Sequence, residues 1–442
     1  MIVLKFGGTS LGTPERMKGV AALVNQIQEQ KIVVLSAVSG TTNALVALSD
    51  ALRKGASEQA QSALQALRKH YDQYIDDLFA DQGMRDQASA VIDKYFHELR
   101  RLTSQPFSEQ IQKVIVVQGE LISTNLFSLL LQSLDSPGHL LPAIDFMYLN
   151  EAGEPDIPVI KTRLQPLLKK SEGATYVTQG FICRNADGGT DNLKRGGSDY
   201  TATLIGAAMS ANEVQIWTDI DGMHNNDPRV VDNTHPIHRL SFDEAGELAY
   251  FGAKILHPNC IIPAQLHNVP VRIKNTMSPE SEGTLITSQR DPKGAKAIAA
   301  KGNITAIKVK SSRMINAYGF LRKIFEVFEK YKTSIDMITT SEIAVSLTVD
   351  DDTMLTQIVE EIKPFGTVEV DKDQAIICVV GDFISESQGV GTVIFKALED
   401  VRLRMISFGG SKNNISILID GSSKEEALKR LNDHLFASVP LD

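Results

Sequence analysis

The residues best suited to chemistry in this chain are lysines and an arginine set beside glycines. Lys5 lies in Lys5-Phe6-Gly7-Gly8-Thr9-Ser10, after the apolar run Ile2-Val3-Leu4 and before a helical stretch from Pro14 to Gln28. A strand, a glycine turn and a helix in that order let backbone N–H groups reach phosphate oxygens, and the helix start adds a favourable dipole. A lysine at the strand end supplies a compact positive charge for a transferring phosphoryl group. Paired glycines also occur in such turns for backbone reasons alone, so the motif takes its meaning from what lies downstream.

Arg195-Gly196-Gly197-Ser198-Asp199-Tyr200 opens an apolar helix at 201–209. An arginine beside a helix start can clamp a carboxylate with two parallel hydrogen bonds. Asp199 fits either an active-site carboxylate or a helix N-cap. Glu120, read as the end of a strand, can hold a substrate ammonium or stand as a solvated carboxylate at a helix start. Thr218-Asp219 follows the only tryptophan, Trp217, and Asp227-Pro228-Arg229 lies in the next loop. Turn and surface-charge roles stay open for Asp219 and Arg229. Phe251-Gly252-Ala253-Lys254 offers a second glycine-flanked lysine, which a solvated helix would also explain. Two lysines, an arginine clamp and no histidine–carboxylate nucleophile pattern suit phosphoryl transfer by positioning and charge. The sequence has no Walker A motif and no GxGxxG, which excludes P-loop and Rossmann dehydrogenase readings.

These residues need a framework. The chain has 442 residues, 43% hydrophobic and 22% charged, enough for roughly two to four soluble domains. A formal net charge of -9 argues against a nucleic-acid surface. Cys183, Cys260 and Cys378 are far apart with no CxxC spacing, so neither a disulfide framework nor a zinc site is expected. No apolar run is read as approaching the roughly 20 residues that span a bilayer, and the N-terminus runs straight into a strand rather than a secretory signal. The expectation is a cytoplasmic enzyme with no membrane or nucleic-acid partner.

Strands are expected at 32–35, 114–117, 176–178 and 214–217, with helices from Asn43 and through most of 56–105. This alternation predicts an α/β sandwich with a mainly parallel sheet. Ligands in such folds sit beyond the carboxyl ends of the strands, the edge that holds the polar clusters 36–42, 119–120, 180–199 and 218–219. The last third repeats itself. Phe320, Ile324, Val327, Phe328 and Tyr331 form one apolar helix face, and Val390, Ile394, Ala397, Leu398 and Val401 repeat its spacing. Val345, Leu347 and Val349 match Ile415, Ile417 and Ile419 under the same shift. Each copy reads strand–helix–strand–strand–helix, close to the split βαβ pattern. The first copy closes with a strand near 367–370, whereas the second stops after its helix at Phe436. The run 295–300 is therefore expected to complete the second sheet, making the first repeat an insertion within the second.

Taken together, 5–10, 116–124 with Gln118-Gly119-Glu120, 195–200, 217–229 and 251–258 resemble the aspartokinases, and the likeness covers essentially the whole chain. The resemblance is to the monofunctional, lysine-sensitive class. It implies an amino-acid kinase fold (an α/β/α sandwich) over 1–292. Two ferredoxin-like βαββαβ ACT domains follow over 303–373 and 374–442, the second completed by strand 295–300. The reaction implied is ATP-dependent phosphorylation of the L-aspartate side chain to 4-phospho-L-aspartate, opening lysine, threonine and methionine biosynthesis. Lys5 and Asp199 take the catalytic positions, Asp199 organising the active-site lysines. Thr42, Glu120, Arg195 and Ser198 match the aspartate-binding positions, with Arg195 on the α-carboxylate. Lys5, Gly7, Gly8, Thr218, Asp219, His224, Arg229 and Lys254 match the ATP site; His224 stands where many relatives carry tyrosine. Mg2+ is implied with the phosphates, held mostly by them and by water, with no dedicated protein metal site.

In the regulatory half, Met314, Gly319, Phe320, Leu321, Asp336, Thr340, Ser341 and Glu342 match the effector positions, although Ala317 replaces a serine of some lysine-binding relatives. Asp336 or Glu342 can pair with an amino-acid ammonium; a capped strand end and a solvated rim are the plain alternatives. L-Lysine is the expected effector and threonine the alternative. A homodimer or dimer of dimers through the ACT repeats is expected, because isolated sheets of this kind leave edge strands unpaired. Two competing functions remain: a sister kinase acting on N-acetylglutamate, glutamate or a nucleoside monophosphate, and an amino-acid sensor with an inactive kinase half. Glu120 and the ACT repeat speak against the first, and intact Lys5, Asp199 and Arg195 against the second.

Overall fold

The structure, a computed structural model, describes the chain apart from residues 169–172, 195, 253–255, 292–293, 315–317, 383 and 437–442. The chain begins β1 (Ile2–Phe6), α1 (Pro14–Gln26), β2 (Lys31–Leu35), α2 (Thr41–Arg53), α3 (Ser57–Leu78) and α4 (Gln82–Thr103). It continues α5 (Glu109–Val116), α6 (Gln118–Ser133), β3 (His139–Leu141), α7 (Ile157–Leu164), β4 (Thr175–Gln179), β5 (Ile182–Arg184) and β6 (Thr190–Asn192). Next come α8 (Gly197–Met209), β7 (Glu213–Thr218), β8 (Arg239–Ser241), α9 (Phe242–Phe251), α10 (Pro258–Leu266), β9 (Val271–Asn275) and β10 (Thr284–Thr287). The last third runs β11 (Ala297–Lys310), α11 (Phe320–Lys330), β12 (Ile338–Thr340), β13 (Ala344–Val349), α12 (Leu355–Ile362) and β14 (Thr367–Val380). It ends with α13 (Val390–Ala397), β15 (Leu403–Phe408), β16 (Asn414–Asp420) and α14 (Lys424–Phe436).

The chain divides into two compact units. The first comprises Met1–Met223 and Leu256–Ser288, the second His224–Ile255 and Gln289–Asp442. In the first, strands are hydrogen-bonded in the order β3-β4-β2-β1-β7-β9-β10. All neighbouring pairs from β3 to β9 are parallel, and only β10 runs antiparallel to β9. Every residue of β1, β2 and β4 is buried, which is why none of these strands alternates apolar with polar residues and β1 and β2 read as largely apolar runs. Lys5 lies opposite Val34 on one side and Ile216 on the other, at the carboxyl ends of β1, β2 and β7.

The expected strand at 114–117 is not formed. Those residues end α5 and lead into α6, so Glu120 sits in the first turn of a helix rather than at a strand end. A short continuous apolar run has no period that separates strand from helix. The decision comes from either side: Ser108 accepts the Ile111 N–H at 3.2 Å and starts a helix, and the buried residues Ile122, Leu126, Leu130 and Leu131 extend the helical spacing beyond 117. Glu109–Ser133 is long and apolar enough to cross a membrane, contrary to the expectation that no such run exists, but 72% of its apolar 18-residue stretch is buried inside the protein. Its apolar side chains share a core with α3 and α4, including Leu67, Tyr71, Ile92 and Phe96.

The second unit holds one six-stranded sheet in the order β12-β13-β11-β14-β16-β15. Its two long central strands serve both repeats. The first part of β11, Ala297 to Lys301, pairs with Val380 to Ile376, and its second part pairs with the first part of β14, from Gln374 to Thr367. A register shift between Lys301 and Ala306 marks the changeover. Strand β13 pairs with the second part of β11, and β16 with the second part of β14. The apolar faces expected on the two repeat helices are separate cores: Ile324, Val327 and Phe328 with Val345 and Leu347, and Ile394, Ala397 and Leu398 with Ile415 and Ile417. Val231, far upstream, is buried in the latter core.

Candidate active site

The end of β1 presents Lys5 to a carboxylate. Its Nζ lies 2.6 Å from Asp199 Oδ1, and both side chains are largely buried. Asp199 is in the first turn of α8, whose cap position is taken by Gly196 at φ 73°; no side chain caps this helix. The cap reading of Asp199 therefore gives way to an ion pair with Lys5. The turn after β1 is tight: a Cβ on Gly8 would stand 2.9 Å from the Ala37 carbonyl oxygen. Only glycine lets this turn run against the loop after β2.

That loop meets Glu120. The Ala37 N–H donates to Glu120 Oε1 at 3.3 Å, and the Ser123 hydroxyl donates to the Ser36 carbonyl at 2.8 Å, so the start of α6 is fastened to the end of β2. Glu120 Oε2 is buried with no hydrogen-bond partner among the described residues. Burial pushes the Glu120 carboxyl up to about 8, against the opposing pull of its own and the Ala37 backbone N–H groups. Beside it, the Thr41 hydroxyl shares a 2.8 Å hydrogen bond with Tyr71, whose phenol is also raised by burial. Thr42 is half-buried in the first turn of α2. Ser198 is buried at the start of α8 against Gly180, where a Cβ would come within 2.4 Å of its hydroxyl. Since β4, β2, β1 and β7 are neighbours, the turns that carry Ser198, Glu120, Lys5 and Thr218 share one edge of the sheet.

The nucleotide candidates fall into both units. Thr218 ends β7 and donates to Asp219 Oδ1 at 3.1 Å, in the first unit. Strand β9, absent from the sequence reading, lays Lys274 over the Trp217 ring at 5.1 Å, and the Thr276 N–H donates to the Thr218 carbonyl at 2.8 Å. The alternation in Val271-Arg272-Ile273 was the available signal for it. His224 and Arg229 belong to the second unit. His224 Nδ1 shares a 3.0 Å hydrogen bond with the Thr234 hydroxyl. Arg229 donates to Asp227 through Nε at 2.9 Å and Nη2 at 2.8 Å while staying 76% exposed, and it holds the Asp227 carboxyl below the usual range. Arg195 and Lys254 lie outside the described residues.

Comparison with known proteins gives this arrangement its family. Residues 1–275 match the amino acid kinase family, and 307–356 with 377–435 match the ACT domain. Lysine-sensitive aspartokinase 3 of Escherichia coli is 34% identical across 99% of this chain and 99% of its own length. Aspartokinase 1, chloroplastic, of Arabidopsis thaliana is 33% identical across 99% of this chain and 81% of its own. The chain belongs to the aspartokinase family. The crystal structure of E. coli aspartokinase III with aspartate and ADP matches with a TM-score of 0.86 at 33% identity, covering 99% of this chain and 100% of that one. The same enzyme with lysine and aspartate matches with a TM-score of 0.80 at 34% identity, covering 99% of both. As an aspartokinase, the protein is an enzyme that phosphorylates aspartate.

The regulatory candidates of this aspartokinase form two groups. Met314 ends a 3-10 turn after β11, while Gly319 (φ 77°) caps α11, which starts with Phe320 and Leu321. Thr340 ends β12, the Ser341 hydroxyl accepts the Ala344 N–H at 3.1 Å, and Glu342 is exposed. The Ser311 N–H donates to Ile343 at 2.8 Å, joining the turn that bears Met314 to the turn that bears Ser341. Asp336 stands apart, opposite Thr348 before β12 begins. It lies five residue steps before Ser341 along extended chain, roughly 16 Å at about 3.3 Å per step. Its side chain is buried, and its Oδ1 accepts from Tyr250 Oη at 2.7 Å and Lys301 Nζ at 3.0 Å. An internal ammonium therefore already occupies the carboxylate expected to meet the effector.

Proposed function

We propose that the chain transfers the γ-phosphoryl group of ATP to the side-chain carboxylate of L-aspartate, giving 4-phospho-L-aspartate for lysine, threonine and methionine synthesis. The observation that carries this reading is the Lys5–Asp199 pair beside a buried Glu120 at one sheet edge. Phosphoryl transfer asks the protein for position and charge. Asp199 orients the Lys5 ammonium, which meets the phosphoryl oxygens as charge develops on them. Glu120 receives the aspartate ammonium, and that cation restores the carboxylate charge which burial disfavours. Arg195 clamps the α-carboxylate, with Thr42 and Ser198 as hydroxyl partners. Thr218, Asp219, His224, Arg229 and Lys254 contact the nucleotide, and Gly7 and Gly8 leave the β1 turn open to phosphate. No group of three acidic, histidine or cysteine side chains converges among the described residues, which suits Mg2+ held by phosphates and water; the ion neutralises phosphate charge when bound.

The kinase domain would span 1–292, with ACT domains over 303–373 and 374–442. L-Lysine would inhibit by binding near Met314, Gly319, Phe320, Leu321, Thr340, Ser341 and Glu342, with Glu342 as the acidic partner, since Asp336 is held by Lys301 and Tyr250. The E. coli relative crystallised with lysine supports that choice. A homodimer joined through the ACT repeats, in the cytoplasm, completes the reading. The test is ATP consumption with aspartate, glutamate and N-acetylglutamate, each with and without lysine or threonine. Turnover with aspartate alone, suppressed by lysine, is expected; preference for another acceptor would overturn the assignment.

A further inference from the structure

The loop that carries His224 and Arg229 is fastened to the second repeat by a cluster of buried amides. Asn225, Asn226 and Asn432 are each at most 3% exposed. Asn432, on α14, accepts at Oδ1 from the Asn225 and Asn226 side-chain amides, each at 3.4 Å, and donates from Nδ2 to Asn233 at 3.0 Å. One side chain of α14 thus touches the loop at three points. The remaining amide groups are used as well. Asn226 Nδ2 donates to the Leu428 carbonyl at 3.0 Å, and its Oδ1 accepts the Asp227 N–H at 2.9 Å. Asn225 Oδ1 accepts the His235 N–H at 2.8 Å, and its carbonyl accepts the Ile298 N–H at 2.8 Å. Val231 sinks into the core formed by α13, α14 and β16.

This cluster leads directly to the nucleotide candidate. Asn226 holds the N–H of Asp227, and Asp227 holds the Arg229 guanidinium at two points and its backbone N–H at 3.0 Å. A buried polar network with every member satisfied specifies one arrangement, because any alternative leaves buried amides unpaired. Arg229 itself stays exposed although Asp227 holds one edge of its guanidinium, so the network fixes the root of the turn while its tip faces solvent.

We propose that Asn432 is a positioning residue for the nucleotide, acting from the second ACT repeat through Asn226 and Asp227 on Arg229. The proposal rests on the reading of Arg229 as a nucleotide contact. It gives the regulatory half a direct hold on ATP affinity that does not pass through the aspartate residues.

The test is steady-state kinetics of the full chain for Asn432→Ala, Asn233→Ala, Arg229→Ala and the double variant Asn432→Ala/Arg229→Ala. Circular dichroism and thermal unfolding accompany each. Asn432→Ala is expected to raise KM for ATP fivefold or more while KM for aspartate stays within twofold. Asn233 is exposed, so its truncation spares the core and should raise KM for ATP about twofold. The double variant should show no rise beyond Arg229→Ala alone, since Asn432 acts through Arg229. A folded Asn432→Ala with unchanged KM for ATP, with both KM values raised alike, or with effects that multiply in the double variant overturns the proposal and leaves the Arg229 reading intact. If Asn432→Ala does not fold, an unchanged KM for ATP in Asn233→Ala overturns it instead. An Arg229→Ala variant with unchanged KM for ATP removes the reading itself, and the proposal with it.

Discussion

In the first unit, Lys5 lies near the end of β1, and Thr42, Glu120, Ser198 and Asp199 lie in the first turns of α2, α6 and α8; His224 and Arg229 lie in the second, on a loop built into the sheet-and-helix core of a repeat. The two sets are made rigid in different ways. The first relies on backbone close approach: Gly8 against Ala37, Gly180 against Ser198, and an ion pair across the gap. The second relies on side-chain amides from a distant helix. The kinase-family match extends to residue 275, yet residues 224–255 within it pack with the regulatory unit. Membership of a family segment and membership of a packed core are therefore different properties, and the loop bearing His224 and Arg229 joins the family segment to the second unit's core.

The sharpest break in that comparison would come at Lys5. Lys5→Ala should lower kcat by roughly 10²–10³-fold, the cost of about 3–4 kcal/mol typical of removing an electrostatic stabiliser, and change aspartate binding little. Turnover within about tenfold of the parent, ~1.4 kcal/mol, would remove its role. Arg195→Ala should raise KM for aspartate on the order of a hundredfold and leave KM for ATP alone, with Arg195→Lys recovering only part, since an ammonium lacks the two-pronged geometry. Unchanged aspartate saturation in both variants counts against the clamp.

Glu342→Ala, at the exposed acidic position beside Ser341, should keep uninhibited activity and raise the lysine concentration for half inhibition about tenfold, ~1.4 kcal/mol. Inhibition curves with lysine and threonine side by side check this. The last prediction sharpens the picture of Glu120. With its carboxyl raised to about 8, the free enzyme carries it protonated at neutral pH. Binding an ammonium favours the charged form, so KM for aspartate should fall about tenfold between pH 7 and pH 9, then level. Because the folded value lies above the unfolded one, this group's contribution to the stability of the ligand-free protein is complete below the ordinary carboxylate range and is lost as pH rises through 8. Glu120→Gln should flatten both profiles; a KM profile that rises over this interval contradicts the assignment.

The fold class is legible from strand and helix alternation and from the apolar spacing that repeats between Phe320 and Val390. The Lys5 turn and the turn before α8 are legible too, because glycines beside charged residues mark places where the backbone must come close to something. Residues 114–117 mislead because a fully buried helix and a fully buried strand present the same apolar run, and Glu120 inherits that error. Lys274 is missed with its strand. The amide cluster has no sequence signal at all: asparagines carry no hydrophobic period, and Asn226 and Asn432 meet only after the chain has folded. The same holds for Asp336, whose partners Tyr250 and Lys301 come from a different helix and a different strand.

The most direct measurement traps the product. An acyl phosphate reacts with hydroxylamine to give a hydroxamate, so enzyme, ATP, Mg2+, L-aspartate and hydroxylamine should yield aspartyl hydroxamate and ADP in equal amounts, with Lys5→Ala yielding almost none. ADP without hydroxamate, or hydroxamate from glutamate or N-acetylglutamate in preference to aspartate, would contradict the account.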